Sequence, residues 1–323
     1  MFNDIFGIQA NLLGICSSSV GILFNLLLLI IFLYRLLSMK RVSKSSSRQI
    51  GLLHTMNTYV HLTGILSTLL IMCLRTFYGD FYSSTRDSMV IAWHCHFLSY
   101  LFSFFGAGVY GSCFLQAIFR YWRIMFSQRI QLLQKPLFHL LLIVMHWILV
   151  SLLIFPTIFR SIYIPSDHVC VIPFDDRWTA AYIASIVTLL PVTGIFILYI
   201  KIILYMKNRF QTRKKRKRMR NDLSTIRRIF FLVMIILQTS SAGVILWILT
   251  FFQENLHRLF YRLLRLLVIL CMLICSMALL FLSPQLRRIL RTNQQQRRAK
   301  KRPISSTNTD EPTPSRSAQL PRI

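Results

Sequence analysis

Seven long apolar runs, each about 20 residues or more, dominate this sequence and leave few folds open to it. They lie near residues 10–37, 50–74, 89–119, 136–159, 178–206, 228–252 and 263–283. A helical run of about 20 residues crosses a hydrocarbon core of about 30 Å. Inside that core every backbone N–H and C=O must be satisfied within the segment, so a run of this length and composition is a helix. The expected fold is all-α, a seven-transmembrane helix bundle in one domain over residues 10–292. A short outer N-terminus (1–9) precedes it and a polar tail (293–323) follows. The first run lacks a basic leader and a small-residue cleavage site, so it reads as a retained signal anchor.

Charge then sets the orientation. The chain has 38 Lys and Arg against ten Asp and Glu. A nucleic-acid binder would spread such an excess over a polar surface, whereas here the bases fall in short stretches between the apolar runs. With the N-terminus outside, 31 of the 38 lie in the inner segments 35–48, 120–135 and 201–228 and after 284. Positive charge collects on the cytoplasmic side of membrane proteins. Seven of the ten acidic residues fall outside: Asp4, Asp80, Asp87, Asp167, Asp175, Asp176 and Glu254. An outer N-terminus and an inner C-terminus require an odd number of spans, which seven satisfies. The basic run Arg213–Arg220 suits anionic inner-leaflet lipid, and it also offers a surface to an acidic protein partner. Nucleic acid is not an expected partner.

Most of the seven cysteines sit within spans and read as packing residues. Cys95, at the outer mouth of the third run, and Cys170, in the second outer loop, are on the oxidising side. They are either a disulfide tethering that loop over the bundle or two unpaired thiols. His94 and His96 flank Cys95, but without a carboxylate or a second cysteine pair nearby the trio does not read as a metal site. No cofactor is expected.

Several motifs recur in one order. Gly21-Ile22-Leu23-Phe24-Asn25 lies in the first run, and Phe119-Arg120-Tyr121 follows Cys95 by 25 residues, a helical rise of about 37 Å. Trp147 and Pro156 stand in the fourth run, and Pro191 and Tyr199 in the fifth. Leu282-Ser283-Pro284-Gln285-Leu286-Arg287-Arg288 follows the seventh. Together they resemble the rhodopsin-like family of G-protein-coupled receptors, with its Gly-x-x-x-Asn, its Asp-Arg-Tyr (here with Phe in the first place) and its short amphipathic eighth helix. The resemblance implies a two-state bundle in which an extracellular small-molecule or peptide ligand biases the inner opening that admits a heterotrimeric G protein. It implies Arg120, Tyr121 and Tyr199 as the coupling residues. Phe119 stands where the family has an acidic restraint. Asp222 is then a candidate partner for Arg120, or a charge that offsets its basic neighbours. The Ser- and Thr-rich tail suits phosphorylation and arrestin recruitment, or is simply solvated.

The departures are as informative. The second run lacks the family's Asp, with His61 or Leu62 nearest its place. The sixth has Gln238-Thr239-Ser240-Ser241 where a proline kink is usual, and Cys275-Ser276 replaces Asn-Pro in the seventh. With no acid inside the expected spans, an amine ligand is disfavoured. By offset from Arg120, Phe102 stands where amine receptors of the family carry their Asp, and with Ser103, Phe105 and Gly106 it makes an aromatic and small-residue wall suited to an apolar ligand body. Arg258, Arg262 and Arg265 share one face of the seventh run. The first two are expected to snorkel to outer headgroups, and Arg265 is the candidate contact for an anionic group. An enzyme is not expected, because His54, His61, His139 and His146 are spread over two spans with no acid beside them. A transporter or channel that has lost coupling is the alternative.

Overall fold

A computed structural model describes residues 2–40, 46–81, 88–125, 135–164, 169–172, 177–209 and 256–282. The helices are α1 (Phe2–Lys40), α2 (Ser46–Phe81), α3 (Ser88–Met125), α4 (Pro136–Ile154), α5 (Arg177–Ile183), α6 (Leu190–Arg209) and α7 (Leu256–Leu282). A 3-10 segment, Phe155–Arg160, extends α4, and a π segment, Ala184–Leu189, joins α5 to α6. Six helical stretches among the described residues are long and apolar enough to cross a membrane. The expected span 228–252, the eighth helix, Asp222 and the tail 293–323 lie outside the described residues. Residues 2–9 are helical and continuous with the first span.

The bundle is all-helical, and one loop adds a short strand pair to it. The loop after α4 forms a two-stranded antiparallel pair, β1 (Ile162–Ile164) with β2 (Val169–Val171), in which Tyr163 pairs with Cys170. These alternating β-branched and aromatic residues suit a pleated edge, and the hairpin packs on α3.

Helices α2 and α3 form the interior. Helix α2 touches α1, α3, α4 and α7, and α3 touches α2, α4 and α6. Tyr59, Leu62, Leu66 and Leu69 of α2 are fully buried. By contrast α1, α4 and α6 expose rows of large apolar side chains, among them Leu23, Leu27, Ile30, Leu141, Leu152, Leu190 and Phe196. Apolar stripes of this size on several helices need lipid, not water, against them.

Lipid tails give helices no hydrophobic reason to associate, so close backbone approach and buried polar contacts must hold them. Gly21 lets α1 close on Leu66 of α2, and Gly64 makes room for the ring of Phe105 of α3. Thr55, Thr58, Thr63, Thr68 and Thr76 each return their hydroxyl to the carbonyl four residues earlier on α2. That is how an otherwise polar helix satisfies its donors in a membrane interior.

Prolines mark the irregularities. Helix α4 stops at Ile154, and Pro156 opens the 3-10 turn, exposed on its surface. Pro191, which is buried, follows the π segment, where the Leu190 N–H donates to the Ser185 carbonyl five residues back. Proline offers no N–H and crowds the carbonyl of the preceding turn. The wider π turn accommodates that crowding.

Candidate functional site

Arg120 sits half-buried near the C-terminal end of α3, within electrostatic reach of His54, Cys113 and Tyr199. Tyr199, on α6, is 4% exposed, and its hydroxyl has no hydrogen-bond partner among the described residues. Tyr121 is half-buried and packs on the core. Three of the four expected coupling residues therefore lie on the facing helices α3 and α6.

Phe119 has its own packing role. Its ring stacks on His54 at 5.3 Å and meets His139 edge-on at 5.0 Å. His54 of α2 and His139 of α4 are both buried and share a hydrogen bond, Nε2 to Nδ1, of 3.2 Å. A carboxylate in place of Phe119 would lose these ring contacts. Gln116, one turn before Arg120, donates to the Thr58 hydroxyl at 2.7 Å, fixing α3 to α2 beside them.

Seven residues further along each helix the pattern repeats. His61 of α2 and His146 of α4 meet at right angles, with centroids 5.6 Å apart, and Trp147 lies 4.6 Å from His61. The Trp147 indole N–H donates to Asn57 Oδ1 at 2.8 Å. Four histidines that look scattered in the sequence thus form two pairs across one helix interface. Each helix contributes histidines at i and i+7, which is close to two turns.

Near the start of α7, Arg262 departs from expectation. It grips Asp80 of α2, with Nη1 to Oδ2 at 2.9 Å and Nη2 to Oδ1 at 2.8 Å. The expected second span stopped at residue 74, whereas α2 continues to Phe81 and carries Asp80 up to α7. Asn11 of α1 adds a longer contact to the same carboxylate, 3.5 Å. Arg265, 6% exposed, also turns to α2, where Nη1 donates to the Met72 carbonyl at 3.1 Å and the Thr76 hydroxyl at 2.7 Å. Its Nε donates to the Tyr261 carbonyl.

The other expected ligand residues lie on α3. Phe102 is partly buried and packed on the core, Ser103 is 8% exposed, and Gly106 faces Ile65 of α2. Cys95 is buried and disulfide-bonded. The backbone of Cys170 belongs to β2, and its side chain lies outside the described residues. Asn25 is fully buried, with neither amide atom hydrogen-bonded among the described residues. Tyr59 donates to the Ser276 carbonyl at 2.9 Å, joining α2 to α7 beside the Cys275-Ser276 departure.

Comparison with curated proteins finds no match. The family model described as 7 transmembrane receptor (rhodopsin family) matches residues 52–278, more than half of the chain. The match runs from the second span almost to the end of α7, through the stretch that holds Arg120, Tyr199 and both histidine pairs. This chain belongs to the rhodopsin family of seven-transmembrane receptors.

Proposed function

We propose that the chain carries an extracellular chemical or peptide signal to a heterotrimeric G protein at the plasma membrane, with its N-terminus outside and its C-terminus in the cytoplasm. The observation that carries this reading is the packing of α3, which bears Arg120, against α6, which bears the buried Tyr199. A buried tyrosine hydroxyl without a partner favours any state that gives it one. When the inner ends separate, Arg120 and Tyr121 meet the incoming G protein and Tyr199 swings toward Arg120. Asp222 restrains Arg120 in the closed state.

The ligand binds beneath the outer hairpin, which a Cys95–Cys170 disulfide holds over the bundle mouth. Phe102, Ser103 and Gly106 supply an apolar wall, and Arg265 supplies the one cationic contact, shared with Thr76. A carboxylate-bearing ligand fits this set better than an amine. Basic inner segments hold the receptor against anionic lipid, and the phosphorylated tail recruits arrestin.

The test is second-messenger output from cells expressing wild type or Arg120→Ala at equal surface level. Signal in wild type that the substitution abolishes supports the reading. Silence from both despite surface expression refutes it.

A further inference from the structure

We propose that His54 and His139 are positioning residues for coupling, which clamp the ring of Phe119 and so set the heading of Arg120, the next residue on α3. This rests on the reading of Arg120 as the G-protein contact. It gives the task of the missing acid to a packed cluster of rings.

Three helices supply the clamp. His54 of α2 and His139, in the first turn of α4, are both buried and joined Nε2 to Nδ1 at 3.2 Å. The other nitrogen of His54, Nδ1, is buried without a hydrogen-bond partner among the described residues. A proton there would be a donor left unmet in an apolar interior, so the proton belongs on Nε2. His54 therefore donates and His139 Nδ1 accepts, which fixes both ring planes. The Phe119 ring stacks on His54 at 5.3 Å and meets His139 edge-on at 5.0 Å, both favourable aromatic arrangements. Two leucines would fill such a space without the direction that a hydrogen bond imposes, and a satisfied buried polar pair makes one arrangement specific.

The clamp also fixes the rotation of α3 about its axis. Gln116, Phe119 and Trp122 follow at steps of three, which move only about 60° round a helix. Each meets α2 or α4: Gln116 donates to the Thr58 hydroxyl at 2.7 Å, Phe119 meets both histidines, and the Trp122 ring lies 6.4 Å from that of Phe138. Arg120 stands about 100° round from Phe119. It shares the face of Cys113, seven places earlier, which is buried in the core. Holding Phe119 between α2 and α4 thus turns Arg120 toward the bundle interior, and without the rings α3 and Arg120 turn more freely together.

The test measures GTP exchange on a panel of purified heterotrimeric G proteins by the full-length chain in lipid nanodiscs. Half-saturating G-protein concentration and maximal rate are read separately. Loss of folded receptor lowers the maximum alone, whereas a misdirected Arg120 weakens docking. Exchange by wild type that Arg120→Ala abolishes supports the coupling reading. No exchange by wild type, or exchange that Arg120→Ala retains, overturns that reading and this inference with it. Given coupling, His54→Leu and His139→Leu should each raise the half-saturating concentration about three- to tenfold, the factor that one net hydrogen bond is worth. His139→Gln, whose amide oxygen can still accept from His54, should return it toward wild type. Unchanged half-saturation in the leucine variants, or a fall in the maximum alone, overturns the positioning role while the coupling reading stands. If His54→Leu fails to fold, His139→Leu against His139→Gln still decides.

Discussion

Arg262 and Asp80 meet through two N–H···O bonds, a fork of guanidinium on carboxylate that joins the start of α7 to the end of α2. Such bidentate pairs are stronger than single bonds between neutral groups. The two side chains are only 10% and 15% exposed. Asp80→Asn or Arg262→Gln should each cost about 1.5–3 kcal/mol, seen as a lower unfolding temperature in detergent. The charge swap Asp80→Arg with Arg262→Asp should recover part of the loss. Single variants that unfold at the wild-type temperature would show the pair to be idle.

Glycines on α3 separate two packing regimes. A Cβ at Gly108 or Gly111 would collide with the ring of His61 or His146, whereas one at Gly106 meets only Ile65 Cδ1, at 3.7 Å. Gly108→Ala and Gly111→Ala should therefore lose about 1–3 kcal/mol by overpacking. Gly106→Ala should be neutral, or gain about 0.5–1 kcal/mol from helix propensity. Surface expression with thermal unfolding separates the three, and equal behaviour would contradict the packing described.

Arg265 and Thr76 are coupled. A double-mutant cycle with Arg265→Met and Thr76→Val should return an interaction of about 0.5–3 kcal/mol. A zero coupling, with wild-type stability in Thr76→Val, would mean that Arg265 does not depend on α2.

Trp147 is held by the amide of Asn57. Trp147→Phe keeps a ring near His61 and Phe104 but removes the indole donor, leaving a buried amide oxygen unmet. The expected loss is about 1–3 kcal/mol. Adding Asn57→Leu should restore part of it, since an apolar pair asks for no hydrogen bond. Trp147→Phe with wild-type thermal stability would argue against that bond.

Tyr59→Phe tests the tie between α2 and α7. Removing the hydroxyl frees the Ser276 carbonyl and should cost about 0.5–1.5 kcal/mol. If the tie also holds the resting arrangement, ligand-independent second-messenger output should rise. Unchanged output with lowered stability would make the contact purely structural.

Much of this architecture is legible in the sequence, because lipid enforces one rule along a whole helix. Runs at 50–74 and 136–159 announce α2 and α4 by apolar length alone, and the order of Asn25, Trp147, Pro156 and Pro191 points to the family that the match to residues 52–278 shows. Partners across an interface are another matter. Periodicity puts His54 with His61, and His139 with His146, but it does not say that the two faces meet. Asp80 falls outside its hydropathy run because that run ends before the helix does. Phe119 shows only as a missing acid, and its meaning lies in two histidines from other helices.

The π segment Ala184–Leu189 carries a consequence for anyone mapping a ligand onto the fifth span. A wide turn of this kind takes up one residue more than a regular helix and shifts the angular register beyond it by about 100°. Positions assigned by counting outward from Pro191 or Tyr199 at 3.6 residues per turn therefore point a quarter-circle away once Ala184 is passed. On that outer stretch, the side chain that shares a face with Pro191 is one place earlier in the chain than the count gives.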